Sequence, residues 1–124
     1  MFLILSLVQR FWLILTLLLL VIITGSSLWP VEFLPVVPGT DKAHHLLAYA
    51  ALVLPVALSR PKYWLWIVFA LFTWGGIIEL IQPYVNRWGE WLDLLANGLG
   101  IMLGLLLGQL LSQLLKKLSP LRAR

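Results

Sequence analysis

The stretch that decides the fold is WLDLLANGLGIMLGLLLGQLLSQLL, residues 91–115. It is apolar apart from a few polar side chains, and it is longer than the roughly 20 residues that a helix needs to cross a bilayer. Three other apolar runs precede it, at about residues 11–28, 43–58 and 63–82. Backbone polar groups in lipid must be satisfied within their own segment, so all four runs are predicted to be helices. The sequence therefore predicts an all-α polytopic membrane protein, a bundle of four transmembrane helices.

The composition agrees with a membrane location. The chain has 124 residues, of which 61% are hydrophobic and 11% charged, and its mean hydropathy is +0.97. A chain this short cannot bury so much apolar surface in a water-soluble core. It has no cysteine, which excludes disulfides, thiolate zinc sites, iron–sulfur clusters and thiol nucleophiles. We find no internal repeat and no composition break, so residues 1–124 are predicted to form a single membrane domain.

The first apolar run has a second interpretation as a signal peptide. Arg10 precedes it, and small residues follow at positions 25–27. However, the apolar stretch is longer than a typical signal-peptide core and no A-x-A cleavage site is present. A retained transmembrane helix is therefore the favoured interpretation.

The charged residues divide between the two ends of the predicted bundle. Seven of the nine Lys and Arg residues, and none of the five acidic residues, fall at the end that carries both termini. Lys42, Arg87 and all the acids fall at the other end. The positive-inside rule then places both termini in the cytoplasm, with tryptophans near both membrane boundaries. The basic end is expected to meet anionic membrane lipids, and no nucleic-acid partner is predicted.

Polar side chains recur at helical spacing near the end opposite the termini, on each of the last three helices. The candidate site residues are Lys42, His45 and Tyr49, then Glu79 and Gln82, then Arg87 in the following loop, and finally Asp93 and Asn97. Spacings of three and four place each set on one helix face. Ionised groups at this depth are costly unless they face a partner or water. The sequence therefore predicts one polar cleft in which these faces meet.

Glycines continue the same pattern towards the other end of the bundle. Gly100, Gly104 and Gly108 form a small-xxx-small stripe on the last helix, and Gly75 and Gly76 lie one turn before Glu79. Such residues allow two helix backbones to approach closely. We expect a tightly packed half of the bundle next to the polar cleft.

The ordered set of motifs resembles the VanZ-like family of bacterial membrane proteins. The residues that carry the resemblance are D-K-x-x-H with a following tyrosine (Asp41, Lys42, His45, Tyr49), E-x-x-Q (Glu79, Gln82), the loop arginine Arg87, and D-x-x-x-N-x-x-G-x-x-x-G (Asp93 to Gly104). The resemblance covers about residues 41–104. It implies a location in the bacterial cytoplasmic membrane and a link to teicoplanin resistance or, more generally, to the cell envelope. It supplies no reaction mechanism.

The residues leave several functions open. The leading interpretation is a protein that binds or protects an envelope ligand, such as a lipid-linked cell-wall intermediate, an anionic lipid or a glycopeptide. In this interpretation Lys42 and Arg87 bind phosphate or carboxylate, while the acids and amides bind hydroxyl and amide groups. The alternatives are a membrane enzyme with a Glu/Asp/His acid–base cluster and a small dimeric transporter. A purely structural ion-pair network, or assembly as a homo-oligomer, is also consistent with the pattern.

A metal site is not predicted, although one histidine and two acids are available. His45, Glu79 and Asp93 are nitrogen and oxygen donors of the kind that divalent metals accept. The chain has no H-x-x-x-H pair and no H-E-x-x-H motif. The expectation is therefore that the site uses neither a metal nor another cofactor.

Overall fold

The computed structural model describes residues 1–30 and 40–118, and within these ranges the chain is helical without any strand. The helices are α1 (Phe2–Arg10), α2 (Trp12–Leu28), α3 (Asp41–Ser59), α4 (Trp64–Ile81), a 3₁₀ helix (Gln82–Val85) that continues α4, and α5 (Trp91–Leu118). The prediction of an all-α fold is confirmed. The dipeptide Pro38-Gly39, which is typical of a turn, and the basic residues Arg122 and Arg124 lie outside the described residues.

Three helices are long and apolar enough to cross a membrane. They are Asp41–Ser59, Trp64–Val85 and Trp91–Leu118, and the α1–α2 pair makes a fourth span if it is counted as one unit. Large apolar side chains cover the outside of the bundle, including Ile14, Leu18 and Leu106, each more than half exposed. An apolar surface of this extent is stable in lipid rather than in water. The chain is therefore an integral membrane protein.

The two ends of the bundle differ in charge. We call the end where α2 and α4 finish and α3 and α5 begin the polar end. The opposite end, called the basic end, holds the cations Arg10, Arg60, Lys62, Lys116 and Lys117. α5 has 28 residues, or about 42 Å at the usual helical rise, which exceeds the roughly 30 Å hydrocarbon thickness of a bilayer. Its length thus allows α5 to reach both interfaces.

α3 is the central helix, and α5 packs directly against it. A Cβ added to any of three α5 glycines would collide with α3. The pairs are Gly100 with the carbonyl oxygen of Leu46, Gly104 with Ala50 and Val53, and Gly108 with Ala57. Residue numbers rise together along both helices, so α3 and α5 run parallel. The glycine stripe is the reason that these two backbones can lie so close.

The two adjacent glycines of α4 have different surroundings. A Cβ on Gly75 would lie 2.7 Å from the hydroxyl oxygen of Tyr49, so this glycine makes room for the buried tyrosine of α3. A Cβ on Gly76 would meet only Leu94, at an ordinary contact distance of 3.8 Å. Gly75 is therefore a packing residue, whereas Gly76 borders open space.

The amino-terminal helix α1 was not expected from the sequence. It is bent by 81° relative to α2, and it packs across the end of α3. Gln9 Nε2 donates to the carbonyl oxygen of Leu58 at 2.9 Å, and Ser59 Oγ donates to the carbonyl oxygen of Gln9 at 3.2 Å. These bonds satisfy a carbonyl at the α3 carboxyl terminus, where the helix itself supplies no donor. α1 thus closes the basic end of the bundle.

Candidate functional site

Lys42 is the centre of an ion-pair cluster at the polar end. Its Nζ lies 2.5 Å from Asp93 Oδ1, 2.6 Å from Glu90 Oε2 and 3.7 Å from Asp41 Oδ2. The lysine side chain is 36% exposed, while that of Asp93 is only 3% exposed. Lys42 occupies the first turn of α3, and Asp93 occupies the first turn of α5. The parallel packing of these helices brings the two first turns together, so that the buried carboxylate has a cationic partner.

His45 lies one turn further along α3 and contacts α5 in the same way. Its Nδ1 is 2.9 Å from Asn97 Oδ1, and its Nε2 is 3.6 Å from Asp93 Oδ2 and 3.8 Å from Asp41 Oδ1. An amide oxygen only accepts hydrogen bonds, so the contact with Asn97 assigns a proton to Nδ1. The imidazole is therefore fixed on one side by an amide and faces two carboxylates on the other.

Glu79 joins the cluster through the loop that precedes α5. Its Oε2 accepts a hydrogen bond from the backbone N–H of Glu90 at 3.2 Å, and Glu90 in turn pairs with Lys42. Gly89 permits this arrangement, because a Cβ there would lie 2.5 Å from the carbonyl oxygen of Glu79. Glu79 is 9% exposed, and its Oε1 has no hydrogen-bond partner among residues 1–30 and 40–118. This oxygen is thus a buried acceptor beside the loop that precedes α5.

Gln82 and Arg87 bind the carboxyl end of α2 and not the acidic residues. Gln82 Nε2 donates to the carbonyl oxygen of Ser27 at 3.2 Å. Arg87 Nη1 donates to the carbonyl oxygens of Trp29 at 3.2 Å and Ser26 at 3.5 Å. The last carbonyls of a helix lack intrahelical donors, so these side chains cap α2. Of the two cations that the sequence places at this end, Lys42 contacts the acids of the described residues, whereas Arg87 caps α2.

Tyr49 lies deeper in the bundle than the ion pairs. It is buried between α3 and α4, with its hydroxyl beside Gly75, one helical turn from Glu79. The eight candidate residues thus form three groups. Lys42, His45, Asp93 and Asn97 contact one another, Glu79 is linked to them by Glu90, and Tyr49, Gln82 and Arg87 support the helices around them.

Two acids belong to the cluster although sequence reasoning did not select them as site residues. Asp41 belongs to the D-K-x-x-H motif but not to the predicted site, and Glu90 belongs to none of the motifs. Both carry a positional signal, because Asp41 lies four residues before His45 and Glu90 lies three residues before Asp93. These are the spacings at which helical neighbours share a face.

The cluster contains more acceptors than donors. Three carboxyl groups, those of Asp41, Glu90 and Asp93, contact the single ammonium group of Lys42, and the carboxyl group of Glu79 is joined to them through the backbone N–H of Glu90. A ligand that carries hydrogen-bond donors or positive charge therefore complements the cluster, whereas an anionic group would meet carboxylates.

The same side chains include a set with metal-ligand character. Ligand atoms of Asp41, His45 and Asp93 all lie within 4.8 Å of one another. The ammonium group of Lys42 contacts both carboxylates of this set and offsets part of their negative charge. A divalent ion would have to displace that ammonium group, so the geometry favours the lysine as the resident cation. The expectation of no metal stays a prediction.

A groove of about 490 Å³ lies beside the cluster, between α4 and α5. Its walls are mainly apolar, with Phe72, Gly76 and Leu80 on α4 and Leu94 on α5. Glu79, Glu90 and Trp91 border it at the polar end. The groove therefore connects an apolar surface within the spanning helices to the acidic cluster.

Comparison of the chain with protein-family models, with curated proteins and with solved structures found no significant match. The case for a function thus depends on the geometry of the cluster and on the sequence motifs that build it.

Proposed function

We propose that this protein binds an amphipathic ligand of the bacterial cell envelope, at a site formed by the acidic cluster and the adjoining groove. The observation that carries the proposal is the burial of Asp93 and Asn97 beside Lys42 and His45 within membrane-spanning helices. Ionisable residues in transmembrane segments are costly and are usually retained for function. A structural network alone does not require the neighbouring groove, or a buried Glu79 oxygen that has no hydrogen-bond partner within residues 1–30 and 40–118.

The proposed location is the cytoplasmic membrane of a bacterium, with both termini in the cytoplasm and the cluster at the extracytoplasmic face. The charge asymmetry between the polar and basic ends supports this orientation through the positive-inside rule. The similarity of the motifs to the VanZ-like family adds the expectation of a role in teicoplanin resistance. In that case the protein protects the cell by binding the glycopeptide or an envelope component that the glycopeptide engages.

The chemistry of the cluster narrows the range of ligands. Lys42 already pairs with carboxylates, and Arg87 caps α2, so neither is free to bind a phosphate. Carboxylates and amide groups remain as the ligand-binding atoms. They favour hydroxyl, amide N–H and amine groups on the ligand.

A membrane enzyme is the second candidate, and one specific observation favours it. His45 Nε2 lies 3.6 Å from Asp93 Oδ2, which is a separation from which a histidine and a carboxylate can exchange a proton after a small movement. Incubating the purified protein with a lipid extract distinguishes the two functions. An enzyme converts a lipid in amounts well above its own molar quantity, whereas a binding protein at most retains one.

Function in cells is tested with isosteric variants of the buried acids. Asp93→Asn and Glu79→Gln keep the side-chain volume but remove the charge. We expect both to remain in the membrane at normal abundance and to lose protection against teicoplanin in a susceptible host. Membrane abundance is measured by immunoblotting in the same cultures as antibiotic sensitivity.

The matched control is Thr24→Val, which removes the interhelical hydrogen bond from Trp74 Nε1 to Thr24 Oγ1 away from the acidic cluster. It should leave protection unchanged. Normal protection by both acid variants, at normal abundance, would contradict the proposed function. Loss of the two variants from the membrane would instead identify the cluster as a folding element.

A further inference from the structure

We infer that the groove between α4 and α5 holds one hydrocarbon chain of a membrane amphiphile whose headgroup carries an amine, with the amine bound by Glu79 and Glu90. This inference rests on the proposed function, since it names the ligand class of the same site.

The shape of the groove matches a single chain within one leaflet. Its α4 wall runs from Phe69 to Leu80, a distance of about 16 Å along a helix. Half of the roughly 30 Å hydrocarbon core of a bilayer is nearly the same length. The volume of about 490 Å³ also falls within the range of about 300–1,000 Å³ that is usual for ligand sites. The groove therefore suits a chain that enters from one leaflet.

Gly76 is the residue that keeps the groove open. A Cβ at this position would meet only Leu94, so the missing side chain leaves space rather than a close helix contact. Thr73, one turn earlier on α4, is an exposed small residue on the same wall. A larger side chain at either position would occupy the volume assigned to the hydrocarbon chain.

The charge at the mouth of the groove selects the headgroup. Glu79 and Glu90 both line it, and Glu79 Oε1 is buried without a hydrogen-bond partner among the described residues. A primary amine would supply a donor and a positive charge to this oxygen. A phosphate headgroup would instead meet the carboxylate of Glu79, and the Lys42 ammonium group beside Glu90 is already paired with Glu90 and Asp93.

The same charges argue against a second copy of the chain as the occupant. Two copies with the same orientation in one membrane would bring their acidic polar ends side by side. Of the basic residues that the structure describes, five lie at the opposite end of the bundle: Arg10, Arg60, Lys62, Lys116 and Lys117. Lys42 already pairs with Glu90 and Asp93, and Arg87 caps α2, so these two cations are not available to the glutamates of a second copy. An amphiphile with its own cation has no such conflict.

The test uses a long-chain alkylamine that carries a photoreactive diazirine in its hydrocarbon chain. The full-length protein in detergent micelles is irradiated with this probe, and mass spectrometry maps the modified residues. We expect adducts on the facing parts of α4 and α5. Unlabelled alkylamine should compete at concentrations about tenfold lower than an alkyl alcohol of equal length, because a hydrogen bond to a charged group adds about that factor. An alkyl phosphate should compete no better than the alcohol.

Matched glycine variants test the position of the chain. Gly76→Leu should remove the adducts, whereas Gly25→Leu should retain them, because a Cβ at Gly25 has no atom within 4 Å. Thr73→Phe provides a second way to fill the groove if Gly76→Leu lowers the thermal midpoint. Glu79→Gln should reduce the preference for amine over alcohol while leaving the adduct positions unchanged.

Several results would overturn the inference. The first is a spread of adducts over the whole exposed apolar surface, and the second is equal competition by alkyl phosphate and alkylamine. The third is unchanged labelling when both Gly76 and Thr73 are enlarged. The fourth is disulfide crosslinking between two Gly76→Cys copies that alkylamine does not prevent. Its failure is distinct from failure of the proposed function. If labelling is not specific but Asp93→Asn still loses resistance, only the inference about the groove is wrong. If labelling is specific but Asp93→Asn keeps normal resistance, only the proposed role in the cell is wrong.

Discussion

Replacing Gly104 by alanine should destabilise the protein, although alanine is the better helix former. In an unhindered helix this change gains up to about 1 kcal/mol. Here the added Cβ would collide with Val53 Cγ1 and with the carbonyl oxygen and Cα of Ala50. Backbone atoms cannot rotate away as the end of a flexible side chain can, so α3 and α5 must separate. Such overpacking typically costs about 1–3 kcal/mol.

The net change at Gly104 is therefore a loss of up to about 2 kcal/mol. Gly25→Ala is the matched control, because both glycines are helical and nothing lies within 4 Å of a Cβ at Gly25. This control should show a gain of up to about 1 kcal/mol. The two variants thus differ in the sign of the effect as well as in its size.

The assay is reversible unfolding in mixed micelles, followed by far-ultraviolet circular dichroism or by tryptophan fluorescence. Wild-type protein, Gly104→Ala and Gly25→Ala are compared at identical detergent composition. If Gly104→Ala proves at least as stable as the wild type while Gly25→Ala gains stability, the close packing of α3 on α5 is wrong. Gly104→Leu should then also be tolerated.

Three other predictions concern the polar end and the topology. Lys42→Met leaves the buried Asp93 without its cation. Because the Lys42 side chain is 36% exposed, the loss should be smaller than the about 3–5 kcal/mol that is typical of a fully buried pair, and the double variant Lys42→Met/Asp93→Asn should recover most of it in the same unfolding assay. Additive losses would show that the pair is not coupled. Arg87→Gln should lower the stability of the folded protein by about 1 kcal/mol, because it removes a cap of α2, and it should leave labelling by the alkylamine probe unchanged. A loss of labelling in folded protein would place Arg87 in the site. The chain has no native cysteine, so single cysteines can report the topology. Trp88→Cys should react with an impermeant maleimide from outside the cell, whereas Lys62→Cys should react only after permeabilisation. The reverse pattern would contradict the proposed orientation.

The close contact between α3 and α5 could be predicted to a large extent from residue spacing. Gly100, Gly104 and Gly108 repeat every four residues, as do Asp93 and Asn97, so a single face of α5 carries both sets. Lys42 and His45 lie on one face of α3 for the same reason. A spacing argument of this kind succeeds where a straight helix interacts through side chains of distinctive type.

The hydrogen-bond partners of Gln82 and Arg87 could not be predicted from residue spacing. Both bind backbone carbonyls at the end of α2, and a helix terminus has no residue-type pattern that identifies its partner. The sequence indicates that a polar side chain at this depth needs an acceptor. It does not indicate whether a carboxylate or a carbonyl supplies it.

Residue spacing also fails to predict the surroundings of Gly76 and the presence of α1. Gly75 and Gly76 are adjacent, so the same small-residue argument applied to both, but only Gly75 faces a neighbouring side chain closely. α1 has nine residues, too few to form a stable helix in isolation, and it is held by hydrogen bonds to the end of α3. These features depend on how whole helices are arranged in space.

The glycine stripe and the polar cluster belong to one continuous interface between α3 and α5. The contacts between α3 and α5 advance together along both helices, from Lys42 with Asp93 to His45 with Asn97 and on to Ala57 with Gly108. The glycines set the separation and register of the two backbones, and the register brings each polar residue of α3 to its partner on α5. An alteration near Gly108 should therefore be felt more weakly at the cluster than one at Gly100, whose added Cβ would collide with the carbonyl oxygen of Leu46, next to His45. This coupling explains how a chain with few polar residues can hold a buried carboxylate in a defined position.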